Sequence, residues 1–239
     1  MIDICIVTFN RLNFSTECIE KIALRTRTPH RIIVVDNGST DGTAEWIADT
    51  GIIDKKILLR ENKGIHYAWN LALLHVKSDY FVCCDNDILC PDLRPVDWLG
   101  QLWDLIENYP QYAAISARPQ VLVGEPGDMF DVDKPIVDRP HVGASLRIMR
   151  ADAVRRAGGW EKTTRPERNH EERWICSRLK KLNFSVGYAK DIRCWHLFGD
   201  SNWGYKNVPH GHRDVWPPVE VWDSENFRAK FDPMTFEEM

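Results

Sequence analysis

The N-terminal part of the chain repeats one pattern, a short continuous apolar run, then turn residues, then a segment with helical periodicity. The runs are Ile2–Thr8, Arg31–Asp36, Lys56–Arg60 and Tyr80–Cys84. Between them, Phe14, Cys18 and Ile22 mark one helix, Thr43–Ala48 a second, and Ile65, Trp69, Leu73 and Val76 a third. Continuous apolar runs suit strands buried on both faces. Strands separated by helical stretches of about 10–15 residues form βαβ units and a parallel sheet. Right-handed crossovers then bring the C-terminal strand ends to one edge. Open α/β sheets bind their ligands at that edge. The pattern therefore predicts an α/β fold with a ligand site at the strand ends.

The second half reads as more mixed. Val96–Asn108 carries Leu99, Leu102, Trp103 and Ile106 at helical spacing. Tyr112–Arg118 and His141–Met149 read as strands, and Ala151–Ala157 as a short helix stopped by Gly158-Gly159. Glu171–Leu182 reads as a helix, followed by short strands at Ser185–Tyr188 and Ile192–Trp195. Beyond Gly199 periodicity fades. Trp203, Tyr205, Trp216, Trp222, Phe227 and Phe231 there imply an extension that packs on the domain, a partner or a ligand. A chain of 239 residues fits one large domain, here divided into halves at 1–110 and 111–198 with an extension at 199–239.

Composition narrows the function classes. A net charge of −4 supplies no overall attraction to nucleic acid or anionic membrane, although local basic patches remain. No apolar run approaches the roughly 20 residues of a membrane span. The N-terminus enters a strand pattern at once, without a basic leader or small-residue cleavage site. Seven cysteines, none in a C-x-x-C pair, read as reduced structural thiols of a cytoplasmic protein, not a zinc site.

Four polar clusters fall at the ends of the expected elements: Thr8-Phe9-Asn10-Arg11, Asp36-Asn37-Gly38-Ser39, Asn62-Lys63-Gly64 and Asp85-Asn86-Asp87. Each alone is ordinary turn chemistry. Together they would present polar side chains, backbone amides and two carboxylates at one sheet edge. Carboxylates at i, i+2 suit a hard divalent cation shared with phosphates, such as Mg²⁺ or Mn²⁺. Asp36 is placed to accept hydrogen bonds from a base or ribose.

Val7–Arg11, Val34–Thr43, Asn62–Gly64 and Asp85–Asp87, taken in this order, resemble the nucleotide-sugar domain of family 2 glycosyltransferases with the GT-A fold. Gly143–Arg150 with Gly158-Gly159-Trp160 resembles the strand and turn that line that family's donor-sugar and acceptor site. The resemblance covers roughly residues 1–200. It implies a single domain with a mostly parallel central sheet flanked by helices, a smaller mixed sheet on the acceptor side and an aromatic C-terminal extension. It implies an inverting transfer from a nucleoside diphosphate sugar, with a UDP-sugar favoured, to an acceptor hydroxyl, using Mn²⁺ or Mg²⁺. Thr8, Asn10, Arg11, Asp36, Asn37, Asn62, Gly64, Asp85 and Asn86 would lie on the nucleotide side. Asp87 would bind the metal directly, with His196 as a further ligand. Asp85 would reach the ribose, or the metal through water, and Asn86 has no separate role. Asn169-His170-Glu171-Glu172-Arg173 resembles the family's acidic pair at a helix start. The second acid there is the general base. Glu172 occupies that position, where Glu replaces the usual Asp, and Glu171 is the alternative. His170, His210 and His212 are weaker candidates for touching phosphate or acceptor.

Two rivals differ in class. A nucleotidyltransferase would need a glycine-rich phosphate loop, and Thr8–Leu12 has no glycine. A non-catalytic nucleotide-sugar or glycan-binding module would keep the fold without the chemistry. The expected acceptor is a glycan or glycolipid precursor, reached by a soluble or peripheral protein. Basic clusters at Arg147–Arg156 and Arg165–Lys181 keep an anionic acceptor open, a lipid diphosphate or a modified nucleic acid.

Overall fold

The computed structural model describes residues 1–119, 133–161 and 171–197. His170, His210, His212 and the aromatic extension lie outside these residues. The first half builds as β1 (Ile2–Thr8), α1 (Leu12–Arg25), β2 (His30–Asp36), α2 (Thr43–Asp49), β3 (Lys55–Leu58), α3 (Ile65–His75) and β4 (Tyr80–Asp85). β1 is buried at all seven positions, as its largely apolar run requires, with Asp3 buried against Arg31, Lys77 and Ser78. It pairs in parallel with β2 on one side and β4 on the other, so Thr8, Asp36 and Asp85 end side by side.

The second half adds β5 (Ile88–Leu89), α4 (Trp98–Asn108), β6 (Tyr112–Pro119), β7 (Ile136–Asp138), β8 (Arg147–Arg150), α5 (Ala151–Arg156), α6 (Glu171–Lys181) and β9 (Ser185–His196). One sheet results, in the order β3-β2-β1-β4-β8-β6-β9-β5, with β7 also on β9. β8 runs antiparallel to β4 and β6, which leaves β4, β6 and β9 parallel. Their C-terminal ends therefore share one edge. Two apolar layers cover the faces. One packs α3, α5 and α6 around Trp69, Trp160 and Leu179. The other packs α1 and α4 around Ile22, Trp98 and Ile106. Asp97 caps α4 through Gly100 N (2.9 Å) and also accepts from the Arg27 and Thr28 amides and the Thr28 hydroxyl. Among the described residues no helix is long and apolar enough to cross a membrane.

Three elements differ from the sequence reading. The expected strand at His141–Met149 is a strand only from Arg147, because Leu146 adopts φ 60° and breaks the extended run. The preceding loop is held by Ser116 Oγ, 3.0 Å from both the Gly143 and Ser145 carbonyl oxygens. The two short strands at Ser185–Tyr188 and Ile192–Trp195 are one strand, β9, since Ala189 pairs with Ile136 across the polar interruption. The third strand spans Lys55–Leu58, not Lys56–Arg60.

Candidate active site

The strand-end loops are tied to one another by their own side chains. Asn10 and Arg11 both take left-handed φ (57° and 64°) as the chain leaves β1 for α1. This turn lets Asn10 N donate to Ser39 Oγ (2.7 Å) while Asn10 Oδ1 accepts from Thr40 N (2.8 Å). Asp36 is fully buried at the end of β2. Its carboxylate accepts from the Ser39 amide (2.9 Å), the Ser39 hydroxyl and Thr8 Oγ1 (3.4 Å). Asn37 links this loop to the next, donating to Asn62 Oδ1 (2.9 Å) and accepting from Lys63 N (2.9 Å). Asn62 Oδ1 also accepts from Gly64 N (2.8 Å), where Gly64 at φ 88° precedes α3.

Val7, Thr8, Phe9, Arg11, Asn37, Asn62, Ile65, Asp85, Asn86, Asp87 and His196 line one cleft of about 290 Å³. Of the residues expected on the nucleotide side, Thr8, Arg11, Asn37, Asn62, Asp85 and Asn86 thus share a wall. Asn10, Asp36 and Gly64 are not among its lining residues, and their hydrogen bonds hold its loops. Asn86 turns away from β4 and donates to Ser15 Oγ (2.9 Å), fixing the acidic run to α1.

The cleft floor holds a compact set of ligand atoms. Asp85, Asp87 and His196 each offer one atom, all within 4.8 Å of one another. β5 explains the convergence. Ile88 pairs with His196, and Leu197 N donates to the Asp87 carbonyl (2.6 Å), so the end of β9 lies against Asp87. His196 Nδ1 is 3.6 Å from Asp87 Oδ2, and Arg11 Nη1 is 3.0 Å from the same oxygen. Burial pushes the Asp85 carboxyl well up. Asp87, Glu171 and Glu172 add to this and Arg147 opposes it. Two carboxylates and an imidazole so close, with carboxylate charge crowded at a buried position, fit a divalent cation with oxygen and nitrogen ligands.

Both glutamates at the start of α6 therefore lie near Asp85, but their surroundings differ. Glu171 is buried and bonded. Arg147 Nη2 reaches both of its oxygens (3.0 and 3.3 Å), and Trp160 Nε1 donates to Oε2 (2.6 Å). Burial works against the Arg147 charge, yet Glu171 outweighs it and holds the guanidinium firmly protonated. Trp160 is in turn clamped by Asn70, which accepts from its backbone N–H (2.9 Å) and donates to its carbonyl (3.0 Å). Glu172, the next residue, is half-buried. The sequence reading placed Arg147 in a basic cluster and missed this anchor. An arginine flanked by Leu146, Ile148 and Met149 was the available signal, because a charge inside an apolar run needs a buried partner.

A model of glycosyl transferase family 2 matches residues 3–176. Among curated proteins, the chain is 28% identical over 116 residues to glycosyltransferase GlyA of Streptococcus pneumoniae, covering 48% of this chain and 16% of GlyA. It is 24% identical over 126 residues to an uncharacterized glycosyltransferase of Haemophilus influenzae, covering 52% and 38%. Among solved structures, mannosyltransferase PcManGT of Pyrobaculum calidifontis, in complex with GDP-Man and Mn²⁺, superposes with TM-score 0.67 at 19% identity, covering 84% of this chain and 58% of that one. TarS 1-349 of S. aureus, in complex with UDP-GlcNAc, gives 0.62 at 16% identity, covering 81% and 57%. These two likenesses are of fold: an α/β domain of the GT-A type. The chain spans less than two thirds of the length of each of these four proteins. With the family model running from Asp3 through all four strand-end clusters and into α6, the chain belongs to glycosyl transferase family 2.

Proposed function

We propose that the chain transfers a sugar from a nucleoside diphosphate donor, UDP-linked by preference, to an acceptor hydroxyl with inversion at the anomeric carbon. The observation that carries this reading is the convergence of Asp85, Asp87 and His196 in one cleft with Arg11, the loops at Asn37 and Asn62, and nearby Glu172. Thr8, Asn37 and Asn62 would line the nucleoside side of the cleft, over a loop held in shape by Asn10, Asp36 and Gly64. PcManGT was solved with GDP-Man and TarS with UDP-GlcNAc, so relatives of this fold accept different bases.

Asp87 and His196, with Asp85 beside them, would hold Mn²⁺ or Mg²⁺. Such an ion, when bound, supplies Lewis-acid stabilisation of charge on a leaving diphosphate. Arg11, already on Asp87, would add a fixed positive charge next to that phosphate. Glu172 would take the proton of the acceptor hydroxyl as its oxygen bonds to the anomeric carbon and the carbon–phosphate oxygen bond breaks. Glu171 is spoken for by Arg147 and Trp160 and acts as the anchor that positions Glu172. A glycan or glycolipid precursor is the acceptor class this reading carries. A panel of nucleotide sugars with Mn²⁺ and with Mg²⁺, read by thermal shift and donor hydrolysis, tests the proposal. A metal-dependent shift and hydrolysis with one UDP-sugar is the expected outcome. No response to any donor under either metal would sink it.

A further inference from the structure

Among the described residues that line the cleft, Arg11 alone is an arginine or lysine. Its Nη1 stands 3.0 Å from Asp87 Oδ2, the oxygen that also has His196 Nδ1 at 3.6 Å. Burial pulls the guanidinium below its ordinary value, while Asp87 and then Asp85 oppose the shift. Its charge is thus set against both carboxylates of the cluster. The backbone it reaches from is tied down, since Arg11 has φ 64° and the preceding Asn10 is bonded to Ser39 and Thr40.

A divalent ion on Asp85, Asp87 and His196 would share Asp87 with this guanidinium. Two cations on one buried carboxylate repel, and the repulsion is stronger in a partly buried cleft than in water. Moving Arg11 off Asp87 strands both charges unless another anion receives the guanidinium. A diphosphate is such an anion, and its oxygens match the guanidinium fork with charge-assisted hydrogen bonds. Charge counting agrees. Two carboxylates and one guanidinium leave a negative surplus, a divalent ion turns it positive, and a diphosphate turns it back.

We propose that Arg11 couples the two ligands of the cleft, holding Asp87 against a lone divalent ion and releasing it when a diphosphate takes the guanidinium. Ion and nucleotide are then admitted together. This rests on the transferase reading above, and it adds to the role of Arg11 as a phosphate ligand a second role, as a guard against the ion alone.

The test is calorimetry on the full chain and on R11Q, with three titrations. Mn²⁺ is added without nucleotide, UDP or GDP is added in EDTA, and Mn²⁺ is added at saturating nucleotide. In R11Q the lone Mn²⁺ should bind about tenfold more tightly, the scale of a typical coupling between sites. The nucleotide in EDTA should bind about tenfold less tightly, the scale of one charged hydrogen-bonded contact. The factor by which nucleotide raises Mn²⁺ affinity should fall about tenfold, and by the same amount whichever ligand is added first. R11K, which keeps a charge, should return lone Mn²⁺ affinity close to the parent value. Should R11Q fold poorly by its melting curve, R11M, of similar length and no charge, should show the same opposite shifts. An Arg11 that merely holds Asp87 in shape would weaken both ligands, and one that merely binds phosphate would leave lone Mn²⁺ unchanged. Either result, or lone Mn²⁺ binding no tighter in the uncharged variant, would overturn the proposal. Failure of the unsubstituted chain to bind either nucleotide with Mn²⁺ present would instead sink the transferase reading, so the two failures are separable.

Discussion

Glu171 and Glu172 are adjacent and chemically identical, yet their surroundings predict opposite consequences for the same substitution. In Glu171→Gln the amide keeps one acceptor oxygen, enough for Trp160 Nε1 or for one guanidinium bond. What it loses is the countercharge of Arg147, which is fully buried. Removing one partner of a buried ion pair costs about 3–5 kcal/mol. The retained hydrogen bond places the expected loss near the lower end, about 3 kcal/mol. In urea, with a slope of about 3 kcal/mol/M, the midpoint should fall by about 1 M. Glu172→Gln removes a half-buried carboxylate at a helix start, which costs about 0.3–1 kcal/mol. Its midpoint should barely move, while transfer falls about 100-fold or more with donor affinity kept. Adding Arg147→Met to Glu171→Gln should recover part of the lost stability, because the stranded charge is gone. Denaturation curves and transfer rates on the four proteins decide the matter. A Glu171→Gln chain as stable as the parent but inactive, beside a Glu172→Gln chain that still turns over, would reverse the assignment.

Other consequences follow from the same geometry. His196→Ala should weaken Mn²⁺ binding about 10- to 100-fold by calorimetry while leaving the melting temperature of the metal-free protein nearly unchanged, because the imidazole is partly exposed at a strand end. Gly38→Ala should lower UDP affinity and stability together. Gly38 has φ +80°, and a Cβ there would lie 2.6 Å from Glu61 Cα and 2.7 Å from Asn62 N, prising apart the Asn37–Asn62 link. Asp97→Ala should cost about 3 kcal/mol, since it strands the Arg27, Thr28 and Gly100 amides at once. Acid should act through the same residue and through Asp3. Burial raises each carboxyl, but hydrogen bonds outweigh it, those to Asp3 from Arg31, Lys77 and Ser78 included, so both titrate below their ordinary value. Folded values below the unfolded one mean that this stabilisation is complete above about pH 4 and is lost as pH falls through the folded values. Urea midpoints should therefore drop steeply below about pH 4, and less so in Asp97→Ala. A flat profile over that range would contradict the assignment.

The sheet was legible because its central strands are written as unbroken apolar runs, which only two-sided burial explains. Tyr80–Cys84 is the clearest case, and Ile2–Thr8 follows it with Asp3 as its one charged member. The acidic run was legible as a candidate ligand because it ends such a strand, and His196 because it falls at a position that the family resemblance marks. What joins them was not. β5 is two residues long, too short to carry any periodicity, yet its ladder to β9 sets His196 beside Asp87. Asn10 and Asn37 were equally opaque. An asparagine that binds a ligand and one that ties two loops look the same in sequence, and here their side chains bond to Thr40, Asn62 and Lys63. Leu146 misled for a different reason. Its residue type favours an extended run, and the tertiary contacts of Ser116 and Arg147 with the 142–145 loop override it.

The β5–β9 ladder also bears on the order in which the protein becomes competent. Its partners lie roughly a hundred residues apart in sequence, so their meeting carries a large loop-closure cost. The loops after β1 and β2 and before α3 close within the first third of the chain, among Asn10, Ser39, Asn37 and Asn62. A growing chain can therefore shape them long before residue 196 exists. Asp85 and Asp87 would stand ready as a two-carboxylate half-site, and the imidazole reaches them only when β9 has threaded beside β6 and turned against β5. With the three residues holding a metal as proposed, full metal affinity would be a readout of finished assembly, separating a chain that has closed its sheet from one that has merely begun it.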